Sequence, residues 1–110
     1  MAVTLETFVP PKNMEITQQM QYTSSNVRSV VDKCTVTNTG TTNISFSLNV
    51  IAEGGTASAS NTIIKTRTVL PNQTYNCPEL VGHSLQPNSF ISTIASASGL
   101  TLMVSGRVQS

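Results

Sequence analysis

The sequence is short of charge: Asp, Glu, Lys and Arg make up 10% of its 110 residues, against about 25% in an average soluble protein. The net charge is +1 and the basic residues are scattered, so the basic patch that binds a phosphate backbone is missing. The polar surface must come from the 14 serines, 16 threonines and 9 asparagines. A neutral polar surface loses little when it is desolvated in a contact. We therefore expect association with other proteins and no binding of nucleic acid.

Long apolar runs are also missing, and none approaches the roughly 20 residues of a transmembrane helix. The first ten residues lack the basic start and apolar run of a signal peptide. We predict a soluble protein that is made in a cytosol and does not bind a membrane. Its two cysteines, Cys34 and Cys77, are predicted to stay reduced there, and a disulfide between them is the alternative.

Residues that carry chemistry are few as well. There is one histidine, His83, and no tryptophan, and the five carboxylates fall in separate segments. No zinc-ligand spacing is present and no carboxylate pair is indicated. Cys77 and His83 could be imagined as a nucleophile pair, but a cysteine that ends a strand and a histidine in a loop are the simpler interpretation. The sequence predicts no enzyme activity, no catalytic residue, no cofactor and no metal.

What the sequence does have is alternation of apolar and polar residues, clearest over residues 30–51. In the second half of this stretch every second residue is apolar: Ile44, Phe46, Leu48 and Val50. This pattern predicts a strand with one buried face and one face toward water or a partner. In the first half Cys34 and Val36 share an apolar face. We predict an antiparallel hairpin, with Gly40 able to take positive φ in its turn.

Two residues stand out against this alternation. Asp32 has the parity of Cys34 and Val36, which would turn a charge inward. An end-of-strand position, a salt bridge or a β-bulge would relieve this conflict. Gly106 lies on the apolar side of the last predicted strand, where glycine marks a bulge or a close approach of backbone.

Short strands separated by turns, without a long helix, fill the rest of the chain. They predict an all-β fold, a single antiparallel β-sandwich that is jelly-roll-like and has about eight short strands. Residues 28–110 are predicted to form its core. Residues 1–27 are predicted to hold a strand over residues 3–9, stopped by Pro10 and Pro11, and a short strand around residues 20–23, with an extended segment over residues 10–19 between them. That segment is either a surface loop or an arm laid across a neighbouring subunit.

Partner contacts are predicted in this N-terminal region and on the strand at residues 61–70, where Lys65 and Arg67 share one face. The predicted contact residues are Phe8, Pro10, Pro11, Met14, Ile16, Lys65 and Arg67.

From Arg28 onward the order of short motifs resembles a known family. A Val-rich strand ends in Thr37-Asn38-Thr39-Gly40, and Ile44-Ser45-Phe46-Ser47-Leu48 follows. Later come Gly54-Gly55 with a Ser/Ala loop, Leu70-Pro71-Asn72 before Tyr75, and a closing Val104-Ser105-Gly106. This order resembles small β-sandwich virion proteins of tailed bacteriophages, and most of all the capsid decoration proteins, also called cement or staple proteins, of some podoviruses.

The resemblance implies a non-enzymatic protein made in the cytoplasm of a host bacterium. Such a protein binds the outer capsid surface, bridges subunits of the major capsid protein and stabilises the head, often as a homodimer or another homo-oligomer. A neck or tail component is an alternative with the same virion chemistry. A carbohydrate-binding module at a host surface is a further alternative, for which a row of exposed aromatic side chains would be needed.

Overall fold

Two antiparallel sheets pack against each other in the computed structural model, which describes residues 3–109. Met1, Ala2 and Ser110, the outermost residues of the predicted regions 1–27 and 28–110, lie outside the described residues. The strands are β1 (Val3–Asn13), β2 (Gln19–Thr23), β3 (Arg28–Asn38), β4 (Ile44–Ile51), β5 (Thr62–Val69), β6 (Thr74–Tyr75), β7 (Ser84–Leu85), β8 (Phe90–Ala95) and β9 (Leu100–Gln109). A single 3-10 turn, Ala59–Asn61, precedes β5. The predicted all-β, two-sheet fold is confirmed.

The sheets are built from strands that are distant in sequence. Sheet A has the order β1-β9-β3-β6, with β7 also paired to β3, and sheet B has the order β2-β8-β4-β5. The chain therefore crosses from one sheet to the other at most of its connections. The first and last strands are neighbours in sheet A, where ten-residue β9 lies between β1 and β3.

The core lies between the sheets and follows the predicted alternation. Cys34 and Val36 of β3 and Phe46 and Leu48 of β4 are at most 1% exposed, while the residues between them in β3 remain accessible. Burial of a side chain the size of leucine or phenylalanine contributes roughly 1.5–3 kcal/mol. The inward faces of β3, β4, β8 and β9 thus supply most of the apolar contact that holds the sheets together.

The predicted hairpin of β3 and β4 is wrong, because the two strands lie in different sheets. Alternation shows which side of a strand is buried. The pattern is the same whether two strands pair within one sheet or face each other across the core, so it does not identify the neighbouring strand. The connection is held by Asn38, which is fully buried. Its Nδ2 donates to the carbonyls of Thr42 and Val69 at 2.8 Å, and its Oδ1 accepts from the Gly40 amide at 2.8 Å. Gly40 itself does not take positive φ, so this part of the prediction is also wrong.

The N-terminal region also differs from the prediction. β1 does not stop at Pro10 but continues to Asn13, which an edge strand allows because the missing proline N–H can face away from the ladder. Its register against β9 shifts between Thr7 and Val9 and again between Val9 and Lys12. The short strand predicted around residues 20–23 is present as β2, which joins the edge of sheet B beside β8. Of the predicted extended segment, residues 10–13 belong to β1 and residue 19 to β2, and residues 14–18 connect the two sheets.

Asp32 avoids the core in two of the three ways that the sequence left open. The register of β3 against β9 shifts between Val31 and Lys33, so a bulge falls at Asp32. Its side chain is exposed and accepts hydrogen bonds from Arg107 of β9, with the Nη2–Oδ1 distance at 3.0 Å. The bulge rotates the side chain outward and the guanidinium balances its charge.

Gly106 marks a close approach of backbone, as predicted. A Cβ atom at this position would lie 2.0 Å from the carbonyl oxygen of Val30 in β3 and 2.8 Å from Cε2 of Phe8 in β1. Gly106 pairs with Glu6 on one side and Val31 on the other. The three strands can approach this closely only because residue 106 has no side chain.

Candidate protein-binding face

The structure divides the seven predicted contact residues into buried and exposed groups. Phe8 and Met14 are only 7% and 2% exposed, and the Phe8 ring stacks on Tyr22 with ring centroids 4.3 Å apart. Their prediction as surface contacts is wrong. The register shift after Thr7 leaves both Phe8 and Val9 buried, which a regular alternating strand would not allow. Five of the predicted residues are exposed or half-exposed: Pro10, Pro11, Ile16, Lys65 and Arg67.

Lys65 and Arg67 do not share a face. Thr66 between them has a φ of 50°, and the pairing of β5 with β4 shifts at this point. Lys65 consequently lies on the outer side of sheet B, whereas the Arg67 guanidinium lies 4.4 Å from the centre of the Tyr75 ring, on β6 of sheet A. Arg67 therefore packs across the sandwich edge and only Lys65 belongs to the open face.

A shallow trough runs along the outer face of sheet B. It consists of two hollows of about 260 and 280 Å³ that share Ser47 and Ile94, which are opposite each other in β4 and β8. Eight of the fourteen residues that line it are neutral and polar, with hydroxyl groups from Ser45, Ser47, Ser58, Thr62, Thr66 and Ser96 and amides from Gln18 and Asn49. Lys65 is the one charged residue in this lining.

The alternation of β4 creates the middle of the trough. Because Phe46 and Leu48 point into the core, Ser47 and Asn49 point outward. Asn49 is nevertheless only 5% exposed, because its Nδ2 lies 2.7 Å from Oδ1 of Asn61 and 3.0 Å from Oγ1 of Thr62. These hydrogen bonds fix the loop before β5 against the outer face of sheet B, so one wall of the trough is positioned by the sheet itself.

The opposite side of the trough is formed by the segment that connects the sheets after β1. The Ala95 amide donates to the Glu15 carbonyl at 3.0 Å, and Nε2 of Gln18 donates to Oγ of Ser92 at 2.7 Å. Between these two attachments lies Ile16, which is 58% exposed. A predicted contact residue is thus held close to Gln18, which lines the trough.

Lys12 and Glu15, at the start of this connecting segment, form an ion pair. Lys12 Nζ lies 2.8 Å from Oε2 of Glu15, and Nε2 of Gln21 donates to Oε1 at 2.9 Å. Hydrogen bonds first from Lys12 and then from Gln21 lower the pKa of Glu15 to about 2. The structure has one further ion pair within residues 3–109, between Asp32 and Arg107, so the Lys65 ammonium is not engaged in either.

The aromatic side chains do not form a row at the trough. Phe46 is the only aromatic residue in its lining and is 1% exposed. Tyr75 lies beneath Arg67, and its hydroxyl donates to the Glu79 carboxylate. Burial first, and then Glu79, raises the pKa of Tyr75 to about 12. The residues that line the trough therefore offer a sugar ring no exposed aromatic side chain to stack on.

Metal ligands, membrane-spanning helices and reactive thiols are the other features that bear on function. Within residues 3–109 no three His, Cys, Asp or Glu side chains are grouped so that they could hold a metal ion. The same residues contain no helix with the length and apolar character needed to cross a bilayer. Cys34 and Cys77 are free thiols and fully buried. A hydrogen bond with Cys34 and burial raise the pKa of Cys77, which disfavours the thiolate that a nucleophile requires.

No protein-family model matches this chain, and a search of curated proteins finds no significant match.

The sequence indicated part of the trough and missed part of it. The polar side of β4 was recognised as a face toward water or a partner. Gln18, Ser58 and Thr66 were not predicted, because a connecting segment, a loop and a bulge bring them to the face. None of these three features leaves a periodic signal in the sequence.

Proposed function

We propose that this protein is a non-enzymatic structural component of a virion that binds the outer capsid surface and bridges subunits of the major capsid protein. The trough on sheet B is the observation that carries the proposal. It is an open, largely uncharged face in which hydroxyl and amide groups surround the half-buried side chain of Ile94. Desolvating neutral polar groups costs less free energy than desolvating charges, and apolar atoms at the centre of the face add favourable contacts on binding.

Rigid attachment of the trough supports this function. Ser45, Ser47 and Ile94 lie on strands, and the loop wall is hydrogen-bonded to Asn49. A face built on strands presents its groups in a fixed geometry, so little conformational entropy is lost on binding. When many copies bind a repeating lattice, even a modest affinity per copy gives stable coverage if a copy bridges two subunits. We propose that Lys65 and Ile16 belong to the same capsid-facing surface.

We further propose that the sandwich is a jelly roll with eight strand positions, in which the short strands β6 and β7 together occupy one. The order of four positions in each sheet, β1-β9-β3 with β6 and β7, and β2-β8-β4-β5, supports this assignment. Jelly rolls are an architecture of viral capsid proteins and of lectins. The resemblance of residues 28–110 to capsid decoration proteins favours the virion role, action as a homodimer or another homo-oligomer, and synthesis in a bacterial cytoplasm before assembly.

Two variants on the trough test the proposal. Ile94→Glu and Ser45→Glu place a carboxylate on the outer face of sheet B, and we expect each to lower co-sedimentation with capsids of the encoding virus by at least about tenfold, the equivalent of 1.4 kcal/mol. Thr35→Glu is the matched control, because Thr35 is similarly half-exposed but lies in β3 of sheet A. The urea midpoint of each variant establishes that it is folded.

Equal co-sedimentation of the trough variants and the wild type would reject the trough as the capsid-binding face. A selective loss for Thr35→Glu would move the interface to sheet A. The number of copies per particle separates the alternatives within the virion, since hundreds of copies indicate the shell and a dozen or fewer indicate the neck or tail.

A further inference from the structure

Cys34 and Cys77 lie next to each other although 42 residues separate them in the chain. β3 and β6 pair in antiparallel register, with Val36 opposite Tyr75 and Thr37 opposite Thr74. Cys77 itself has left this ladder, with a φ of 45°. The chain after it returns to Val31 of β3 through Gly82 and His83, so Cys77 lies alongside the part of β3 that holds Cys34. Both thiols are fully buried in the same apolar cluster, and Cys34 is the neighbour with the largest effect on the pKa of the Cys77 thiol.

This arrangement places the two cysteines side by side in the core, as a disulfide requires. Neighbouring strands of a sheet lie about 4.7–4.9 Å apart, and the segment that holds Cys77 runs beside β3. Disulfide-bonded cysteines have Cα atoms about 4.4–6.8 Å apart. A bond between the two sulfur atoms would therefore leave β3 in place within sheet A.

We propose that Cys34 and Cys77 are a disulfide-forming pair that closes when the protein meets a small disulfide oxidant such as oxidised glutathione. One cysteine thiolate attacks the oxidant, forms a mixed disulfide and releases one glutathione thiolate. The second cysteine thiolate then attacks the protein sulfur of the mixed disulfide and releases the second glutathione. In total two protein thiols are oxidised to one disulfide, one glutathione disulfide is reduced to two thiols, and protons balance.

Local opening is the step that admits the oxidant, because neither thiol is accessible in the folded protein. The residues after Cys77 connect two strands of only two residues each, β6 and β7. Two hydrogen bonds attach this connection to β3, from the Gly82 amide to the Val31 carbonyl at 2.7 Å and from the Val31 amide to the His83 carbonyl at 3.1 Å. Leu80 also anchors the connection, because its side chain is fully buried in the core. Breaking the two hydrogen bonds and withdrawing Leu80 would expose Cys77 while leaving the β1-β9-β3 part of sheet A paired.

The raised pKa of Cys77 is a second reason why the thiol reacts only when the connection opens. The neighbouring Cys34 thiol first, and then burial, raise the pKa of Cys77 and favour its neutral form in the folded state, and a neutral thiol does not attack a disulfide. Oxidation of the native protein is therefore slow and becomes faster when the connection opens. Once formed, the disulfide ties the weakly paired β6–β7 edge to β3. This property belongs to the sandwich itself and does not depend on what the sandwich binds.

The test uses the full-length, fully reduced protein under native conditions. It is incubated with a series of glutathione buffers of increasing oxidised fraction, quenched with acid and analysed by intact mass and by free-thiol titration after unfolding. We expect a monomer that has lost two hydrogen atoms, with no retained glutathione and no free thiol. Concentrations of urea well below the unfolding midpoint should speed its formation at least severalfold. The oxidised protein should unfold at a higher urea concentration than the reduced protein.

Cys77→Ala is the matched control, since alanine preserves a small apolar side chain, and it should yield a mixed disulfide with glutathione or no reaction. The wild-type measurement decides the question even if the control folds poorly. Two free thiols at every buffer ratio, a stable mixed disulfide on the wild type, or covalent dimers in place of the modified monomer would each overturn the proposal.

Discussion

Replacing Gly106 with alanine should be far more destabilising than a typical glycine substitution. The added Cβ would lie 2.0 Å from the Val30 carbonyl oxygen, where Cβ contacts below 3.0 Å are essentially never found. Backbone cannot rotate away as a flexible side chain can, so β9 must move by roughly 1 Å relative to β3 to restore an ordinary contact. The Phe8 ring on the other side, 2.8 Å from the new atom, limits movement toward β1.

The size of the effect follows from these contacts. Overpacking a tightly packed site costs about 1–3 kcal/mol, and weakening two ladder hydrogen bonds adds about 0.5–1.5 kcal/mol for each. We expect the free energy of unfolding to fall by about 2–6 kcal/mol, out of a total of about 5–15 kcal/mol for a domain of this size. With a urea m-value of about 2 kcal/mol/M, the unfolding midpoint should fall by about 1–3 M.

Gly54→Ala provides the comparison for this measurement. Gly54 has a φ of +78°, but no atom lies within 4 Å of the position that its Cβ would take, so its substitution costs only the strain of a left-handed backbone, about 1–2 kcal/mol. Urea unfolding followed by circular dichroism would measure both variants. If Gly106→Ala were no more destabilising than Gly54→Ala, the close packing of β1, β9 and β3 would be refuted.

Two further predictions concern hydrogen-bonded side chains. Asn38→Ala removes three hydrogen bonds and leaves the backbone groups of Thr42, Val69 and Gly40 without those partners. The free energy of unfolding, measured with urea, should therefore fall by about 2–4 kcal/mol. A decrease below about 1 kcal/mol would contradict the role given to Asn38. The lowered pKa of Glu15, about 2 against an ordinary 4.5, means that its charge stabilises the fold above pH 4.5 and that this contribution is lost as the pH falls from 4.5 toward 2. The urea midpoint of the wild type should therefore fall more steeply over this pH interval than that of Glu15→Gln. Partial exposure of the Glu15 side chain limits the difference. Parallel curves of midpoint against pH would show that the Lys12–Glu15 contact does not contribute to stability.

Sequence reasoning succeeded where one strand could be considered alone. The buried parity of Cys34 and Val36, the conflict at Asp32 and the close approach at Gly106 all follow from the alternation of side chains along a single strand. The choice of neighbouring strands could not be obtained in this way, because strands that face each other across a core carry the same pattern as strands that pair.

Irregularities in pairing explain the other errors. A register shift beside Phe8 places this predicted contact residue in the core, and the shift at Thr66 puts Lys65 and Arg67 on different faces. A bulge adds a residue on one strand without any required residue type. The candidate face was therefore predictable along β4, where alternation is regular, but not along β5 or in the segment after β1.

The position of β9 determines when sheet A can be completed during synthesis. β1 pairs only with β9 among the strands of sheet A, and β3 takes β9 as its long partner. A growing chain therefore holds β1 without a partner in its sheet until residues 100–109 have left the ribosome. The buried residues of β1, Phe8 and Val9, lack the cover of β9 until then, and β9 is the strand that joins β1 to β3.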